Sequence, residues 1–259
     1  MAVTRKTPAQ VDTMRRAGRL VAEVLALVES ELAPGVSTAR LDRLAERHIQ
    51  AAGAVPSFKG YRGFPATLCI SIDDEVVHGI PGDRVIRDGS LVSVDAGAIV
   101  DGWHADAART FIVGRVRPEV TRLVETTHLA MMAGIAAALP GNHIGDIAAA
   151  VEDVARPDGY GIVRQYVGHG IGTEMHEDPQ VPNYRTAQRG LRLEVGHCLA
   201  IEPMLTLGSA DVVTRLDGWT VATRDGSLAA HFEHTIAVTE RGPEVLTSVE
   251  ARLPALPSV

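Results

Sequence analysis

Two acidic side chains stand where the sequence otherwise prepares for burial. The stretch VDAGAIVDGWHADAART, residues 94–110, alternates as a half-buried strand does and is built largely of Val, Ala and Gly, yet it carries Asp95 and Asp106. Asp101-Gly102 inside it is a two-residue hairpin signal. Pairing Val100 with Trp103 across that turn sets Gly97 opposite Asp106, and the period of two puts Asp95 on the face of Gly97. Asp95 and Asp106 then become diagonal neighbours on one face, with a glycine leaving space between them. Two buried carboxylates at that spacing repel unless one keeps a proton or a cation lies between them. A turn in another register leaves each Asp as a surface residue, and this stretch alone does not decide between the two.

Three further residues extend the set: His169 in YVGHGIGTEMHEDPQ, Glu202 in LAIEPM and Glu233 in AAHFEHTIAV. Glu202 follows an apolar run and precedes Pro203, and Glu233 sits in a late strand-like run. Taken singly, each reads equally well as an exposed edge residue. Together, Asp95, Asp106, His169, Glu202 and Glu233 form an oxygen-rich set with one imidazole. That set suits two divalent ions such as Mn, Fe(II) or Co better than one structural zinc. Other motifs fail on inspection. HEDPQ opens like a zinc-protease helix, but Gln180 stands in place of the last His and Pro179 breaks a helix. GHGIGT lacks the third glycine of a dinucleotide loop.

These residues need a scaffold, and the periodicity supplies one. Thr7, Pro8 and Gln10 form a capping-box start to an amphipathic helix that runs to Pro34-Gly35. Ser37 or Thr38 caps a second helix ending at Gly53, with Leu41, Leu44, Ala45, His48 and Ile49 on one face. Strand-like runs follow at 67–72, 76–78, 91–100 and 105–113. The plan then repeats: a long helix over 118–139, Pro140-Gly141, a shorter helix over 144–155, and strand-like runs at 162–167, 198–207, 212–215, 219–223 and 230–238. APGVSTARLDRLAER and LPGNHIGDIAAAVED align with Pro34 on Pro140, Leu41 on Ile147 and Glu46 on Glu152. The expected fold class is therefore α+β, with two pseudo-symmetric halves sharing an antiparallel sheet and helices on its outer face.

Composition excludes several functions. The chain has 259 residues, 46% of them hydrophobic, which is ample for a core. Lys plus Arg number 25 against 32 Asp plus Glu, a net charge of −7 that does not fit a general nucleic-acid binder. Arg15, Arg16 and Arg19 read as a solvated helix face. Cys69 and Cys198 are far apart and outside any Cys-x-x-Cys, so neither a disulfide framework nor a thiolate zinc site is expected, and a cytoplasmic location is. No apolar run reaches the roughly 18 residues of a membrane span.

Read together, HGIP (78–81), DAGAIVDGWHADAARTF (95–111), GHGIGTEMHEDPQVPNY (168–184), IEPM (201–204) and DGWTVATRDGSLAAHFEHTIAVT (217–239) resemble the type I methionine aminopeptidases, in the order that family shows them. The similarity runs from about Thr7 to Leu246. It implies the pita-bread fold, as a single catalytic domain over 1–259 with pseudo-repeats at about 7–115 and 118–247 and a tail at 248–259. It also implies two divalent ions (Fe(II), Mn, Co or Zn) and removal of the initiator methionine from nascent polypeptides at the ribosome by a monomer, through a hydroxide bridging the ions. Carried over by motif, Asp95 would chelate one ion, His169 and Glu202 the other, while Asp106 and Glu233 bridge both. Glu202 would act as general base, His176 would stabilise the oxyanion, and His78 would contact the leaving nitrogen. Phe58, Tyr61, Phe64, Cys69, His78, Met175, His176 and Trp219 match positions that bind the methionyl substrate.

Three positions depart from that pattern. Gly97 stands where many members have a threonine, Arg62 where a histidine is common, and Met175 where an aromatic is common. An Xaa-Pro aminopeptidase of the same fold keeps the five ligands but usually carries a large N-terminal domain, and only six residues precede the first capped helix here. A non-catalytic ribosome-associated homologue generally loses ligands, and all five are present.

Overall fold

The structure is a computed structural model that describes residues 3–248. The tail assigned to 248–259 lies outside the described residues except for Ser248. The first half opens with α1 (Pro8–Glu31) and α2 (Thr38–Ala51), followed by β1 (Val55–Pro56), β2 (Leu68–Ile72), β3 (Glu75–Val77), β4 (Leu91–Val100) and β5 (Trp103–Ile112). Thr7 caps α1 as expected: its hydroxyl accepts from Gln10 N–H, and the Gln10 side chain accepts from Thr7 N–H. At α2 the side chain of Ser37 makes no cap bond. Thr38 Oγ1 instead bonds both the N–H and the carbonyl of Gly82, tying α2 to the loop after β3.

The second half repeats the order with α3 (Pro118–Ala137) and α4 (Ile144–Ala155), then β6 (Gly161–Ile162), β7 (Gly168–Gly170), β8 (Glu177–Val181), β9 (Cys198–Ile201), β10 (Met204–Thr206), β11 (Val212–Thr214), β12 (Val221–Thr223), β13 (Ala229–His231), β14 (His234–Thr239) and β15 (Gly242–Val245). The internal repeat is physical. Isolated bridges Ser37–Val85 and His143–Arg192 occupy corresponding positions just before α2 and α4, and Gly35 and Gly141 before them both take positive φ, 93° and 96°.

All strand pairs are antiparallel, but they form four hydrogen-bonded sheets rather than one. The long hairpin β4–β5 is the centre of the first half. Val92, Val94, Ala96 and Ala98 of β4, with Ala107 and Phe111 of β5, pack against Leu20, Val21 and Val24 of α1. The alternate residues, Asp95 and Gly97 on β4 and Asp106 on β5, therefore point away from the helices. Leu199 and Ile201 of β9 and Ile236 of β14 pack with α3 and α4 in the same manner.

Two expected strands are interrupted, and the interruptions carry the chemistry. The 198–207 run breaks after Ile201 and the 230–238 run after His231. Ile201 pairs with His234 and Met204 with His231, so the register continues across the gap and Glu202 lies opposite Glu233. Glu233 leaves that ladder to pair with Ala108 of β5, donating to its carbonyl at 2.9 Å and accepting from its N–H at 3.3 Å. The two halves join here and in the pairing of β3 with β12. The remaining strand-like run, 162–167, is mostly irregular, while β1, β7, β8 and β15 were not foreseen: strands of two and three residues, a proline-containing segment and a short hairpin return give too little alternation to read.

Candidate metal centre and its cleft

The hairpin register is the one the sequence predicts. Asp101 and Gly102 form the turn with φ of 49° and 80°, Val100 pairs with Trp103, and Gly97 pairs with Asp106. Asp95 also pairs with Cys69 of β2. Asp106 is held by Thr235, whose hydroxyl lies 3.0 Å from Asp106 Oδ1, 2.8 Å from its carbonyl and 3.0 Å from its N–H. His169 fixes its own ring by an Nδ1 contact to the Gly170 carbonyl at 2.9 Å. Nδ1 must donate there, so Nε2 is left as a lone pair. That Nε2 faces Glu202 Oε1 at 3.5 Å and Asp106 Oδ2 at 3.8 Å.

Asp106, His169 and Glu233 each place one ligand atom within 4.8 Å of the others, and all three are buried. The donor set fits a divalent cation on two independent grounds. First, among the described residues seven side-chain atoms are buried without a hydrogen-bond partner, and Asp95 Oδ1 and Glu233 Oε1 are two of them, in one site. Second, Asp95, Asp106, Glu202 and Glu233 all have their pKa pushed above the ordinary carboxylate range, in each case chiefly by burial. Mutual repulsion adds to this: Asp106 raises Asp95, Glu202 and Glu233. His169 is lowered to about 4 by burial and stays neutral, as a metal-ligating imidazole must. Four carboxyls crowded in this way ionise together only around a positive charge.

The cluster forms the floor of a cleft of about 70 Å³ whose lining also includes Phe58, Phe64, Cys69, His78, Met175, His176 and Trp219. A larger hollow between α1 and α3 includes none of these residues. Phe58, Phe64, Ala66, Cys69 and Met175 form a distinct apolar cluster, with Tyr61, Ile80 and Trp219 against it. Trp219 meets Phe64 edge-on at 5.1 Å between ring centroids. Cys69 is buried with its thiol pKa pushed well up by burial, which makes it a lining group and not a nucleophile. Tyr61 serves the site through His176: its hydroxyl is 2.9 Å from His176 Nδ1 and the rings stack at 5.4 Å. His176 lies 4.3 Å from the His169 ring, and burial lowers its pKa to about 4. His78 takes a positive φ of 61° and meets Tyr166 and Trp219 edge-on.

Every metal-ligand, catalytic and substrate-binding candidate read from the sequence thus falls in or against one cleft. Sequence reasoning missed the supporting residues: Thr235 behind Asp106, Asn183, whose amide donates to the Glu202 carbonyl at 3.1 Å, Tyr166 behind His78, and Ile80 in the apolar wall. Thr235 was readable in principle, because a hydroxyl two residues beyond a buried carboxylate is poised to act on a neighbouring strand.

The fold and this cluster define a metallopeptidase centre, and the chain belongs to Metallopeptidase family M24, whose profile matches residues 12–240. The methionine aminopeptidase of Clostridium acetobutylicum is 50% identical over 246 residues, spanning 95% of this chain and 98% of that protein. The crystal structure of methionine aminopeptidase from Rickettsia prowazekii superposes with a TM-score of 0.93 at 41% identity, covering 95% of this chain and all of that one. Within family M24 the chain falls among the type I methionine aminopeptidases. Prolidase from Pyrococcus furiosus has a TM-score of 0.77 at 23% identity, with 66% of its length covered, a likeness of fold alone. No helix of the described residues is long and apolar enough to cross a membrane.

Proposed function

We propose that the protein is a metal-dependent aminopeptidase that removes the initiator methionine from nascent chains whose second residue is Gly, Ala, Ser, Thr, Pro, Val or Cys. One observation carries this reading: the buried Asp106–His169–Glu233 cluster opens directly onto an apolar slot walled by Phe58, Phe64, Cys69, Met175 and Trp219. A thioether side chain seeks such polarisable surroundings. Asp106, His169 and Glu233, with Asp95 and Glu202 beside them, would hold the divalent ions. Such ions supply Lewis-acid chemistry, a water acidified toward neutral pH and positive charge for the substrate carbonyl and α-amine. Availability selects among Fe(II), Mn, Co and Zn.

The chain's own groups do the rest. Glu202, with its raised proton affinity, takes the proton of the attacking water on a carboxylate oxygen and returns it to the leaving nitrogen. With the Tyr61 hydroxyl as donor to His176 Nδ1, 2.9 Å away, the neutral ring carries its proton on Nε2 and donates it in a hydrogen bond to the carbonyl oxygen as that oxygen gains charge. His78 holds the scissile amide nitrogen from the side of Tyr166. Exclusion of large second residues follows from clash at the mouth of the slot and not from lost attraction.

The test is methionine release from Met-Ala-Ser by chelator-stripped protein titrated with Mn, Fe(II) or Co, beside Asp106→Ala. Metal-dependent release that fails in the variant and is weak on Met-Leu peptides is expected. Folded, metal-loaded protein that releases nothing, or that cleaves before proline whatever the first residue, overturns the reading.

A further inference from the structure

His231 is a buried imidazole beside the cluster that the chemistry above leaves unused. It ends β13, is 2% exposed, and its Nε2 is buried without a hydrogen-bond partner among the described residues. Its backbone cannot shift freely: its N–H donates to Thr110 Oγ1 at 2.8 Å, and its carbonyl accepts from the same hydroxyl at 2.9 Å. Nε2 points at Glu202 Oε2, 3.9 Å away. The other oxygen of Glu202, Oε1, faces His169. Glu202 therefore stands between two imidazoles, one bonded to the Gly170 carbonyl and one whose buried Nε2 has no hydrogen-bond partner.

We infer that His231 is a positioning residue for Glu202. Its Nε2–H donates to Oε2, which fixes the carboxylate plane and commits Oε1 to the metal cluster. The separation exceeds a hydrogen bond by about 1 Å, and rotation of the Glu202 side chain closes it, because that side chain is held by no hydrogen bond while the His231 backbone is fixed through both its N–H and its carbonyl by Thr110. A partner of this kind orients a ligand, and its loss typically weakens metal binding about 10- to 100-fold. Leaving a buried ring nitrogen bare brings no stability by itself, and the carboxylate it faces supplies a partner for it.

This inference rests on Glu202 being a ligand, and the experiment separates the two. Mn(II) affinity is measured by calorimetry on chelator-stripped wild type, His231→Leu, His231→Gln and Glu202→Ala, with the melting temperature of each stripped protein and kcat and KM on Met-Ala-Ser. His231→Leu is expected to keep or raise the stripped melting temperature, to lose about 10- to 100-fold in Mn(II) affinity and to lower kcat more than it raises KM. His231→Gln, which keeps a donor at similar reach, is expected to restore most of the affinity. If His231→Leu does not fold, His231→Asn, polar but too short to reach Glu202, takes its place with the same expectation. Wild-type Mn(II) affinity in His231→Leu while Glu202→Ala is impaired overturns the inference, as does a Gln variant as weak as Leu. Normal affinity in Glu202→Ala overturns both the inference and the assignment of Glu202.

Discussion

Lys6 Nζ lies 2.5 Å from Oε2 of Glu177, the residue that follows His176, and both side chains are almost wholly buried. The other oxygen of Glu177 accepts from the N–H groups of Thr173 and Glu174, so one carboxylate ties the segment before α1 to the loop that carries Met175 and His176. Gly172 makes room for the contact, since a Cβ there would lie 2.6 Å from Lys6 Cε and 2.3 Å from Glu177 Oε1. The Glu177 pKa is lowered: burial would raise it, and the Lys6 hydrogen bond and charge, with the Glu174 N–H and Thr4 hydroxyl, together outweigh burial. A depressed carboxyl stabilises the fold above its unfolded value of about 4.3 and loses that contribution as pH falls through the folded value. Lys6→Met leaves the carboxylate largely buried without its cation, held only by the Thr173 and Glu174 N–H groups and the Thr4 hydroxyl. It is expected to cost about 3 kcal/mol in urea unfolding at pH 7, and to lower kcat through His176 while Mn(II) affinity stays within a few-fold of wild type.

Metal binding will release protons. Asp95, Asp106, Glu202 and Glu233 all hold protons more tightly than ordinary carboxyls, because burial penalises all four ionised forms and neighbouring carboxyls add to it at Asp95, Glu202 and Glu233. A bound cation reverses that penalty, so the bound state favours ionised carboxylates and the unbound state favours protonated ones. Affinity must then rise with pH across the range in which the stripped site titrates. Calorimetry at pH 7 in two buffers of different ionisation enthalpy is expected to show net proton release, and Mn(II) affinity is expected to fall on acidification to pH 6. Equal binding enthalpies in the two buffers would contradict the raised proton affinities.

Thr235 offers a cleaner probe of Asp106 than substitution of the ligand itself. Its hydroxyl is fully buried and bonds the carboxylate, carbonyl and N–H of that one residue. Thr235→Val preserves shape and strands the Asp106 N–H, an unsatisfied buried donor that costs about 1–3 kcal/mol. The freed carboxylate should also bind metal less tightly, by roughly ten-fold. Both effects are read together from thermal melts with and without Mn(II): the metal-induced rise in melting temperature should shrink along with the baseline.

How much of this was legible depended on how local the determinants were. The hairpin was fully readable because Asp101-Gly102 sets its own register, which places Asp95, Gly97 and Asp106 without any tertiary information. The capping box at Thr7 and the repeated Pro-Gly before α2 and α4 were readable for the same reason. Glu202 and Glu233 were recognised as misplaced carboxylates, but not as opposite partners in a break. Pro203 weakens one strand, while the departure of Glu233 to pair with Ala108 depends on a strand more than a hundred residues away. Division into four sheets, the Lys6–Glu177 contact and the bare nitrogen of His231 are likewise products of long-range packing. No periodicity of the chain records them.

Gly97 turns a departure from the family pattern into a prediction. A Cβ at this position would lie 2.8 Å from Phe58 Cε1 and 2.8 Å from Ser57 Cβ. Neither neighbour can retreat easily. Ser57 N–H donates to the Gly97 carbonyl at 3.0 Å, Ser57 Oγ is 3.0 Å from His104 Nδ1, and Phe58 is buried in the apolar wall. The threonine common at this position in the family therefore does not fit here without moving Phe58. Gly97→Ala and Gly97→Thr are both expected to destabilise the protein by about 1–3 kcal/mol through overpacking, and to raise KM for Met-Ala-Ser because the displaced ring belongs to the apolar wall of the cleft that we propose takes the methionine side chain. Phe58→Leu, which withdraws Cε1, should recover part of the stability of Gly97→Ala but not its KM. If Gly97→Thr melts like wild type and binds the second Mn(II) more tightly, the glycine is a tolerated loss of a ligand-side hydroxyl. A drop in stability that Phe58→Leu relieves shows instead that the ring and the glycine are packed as a pair.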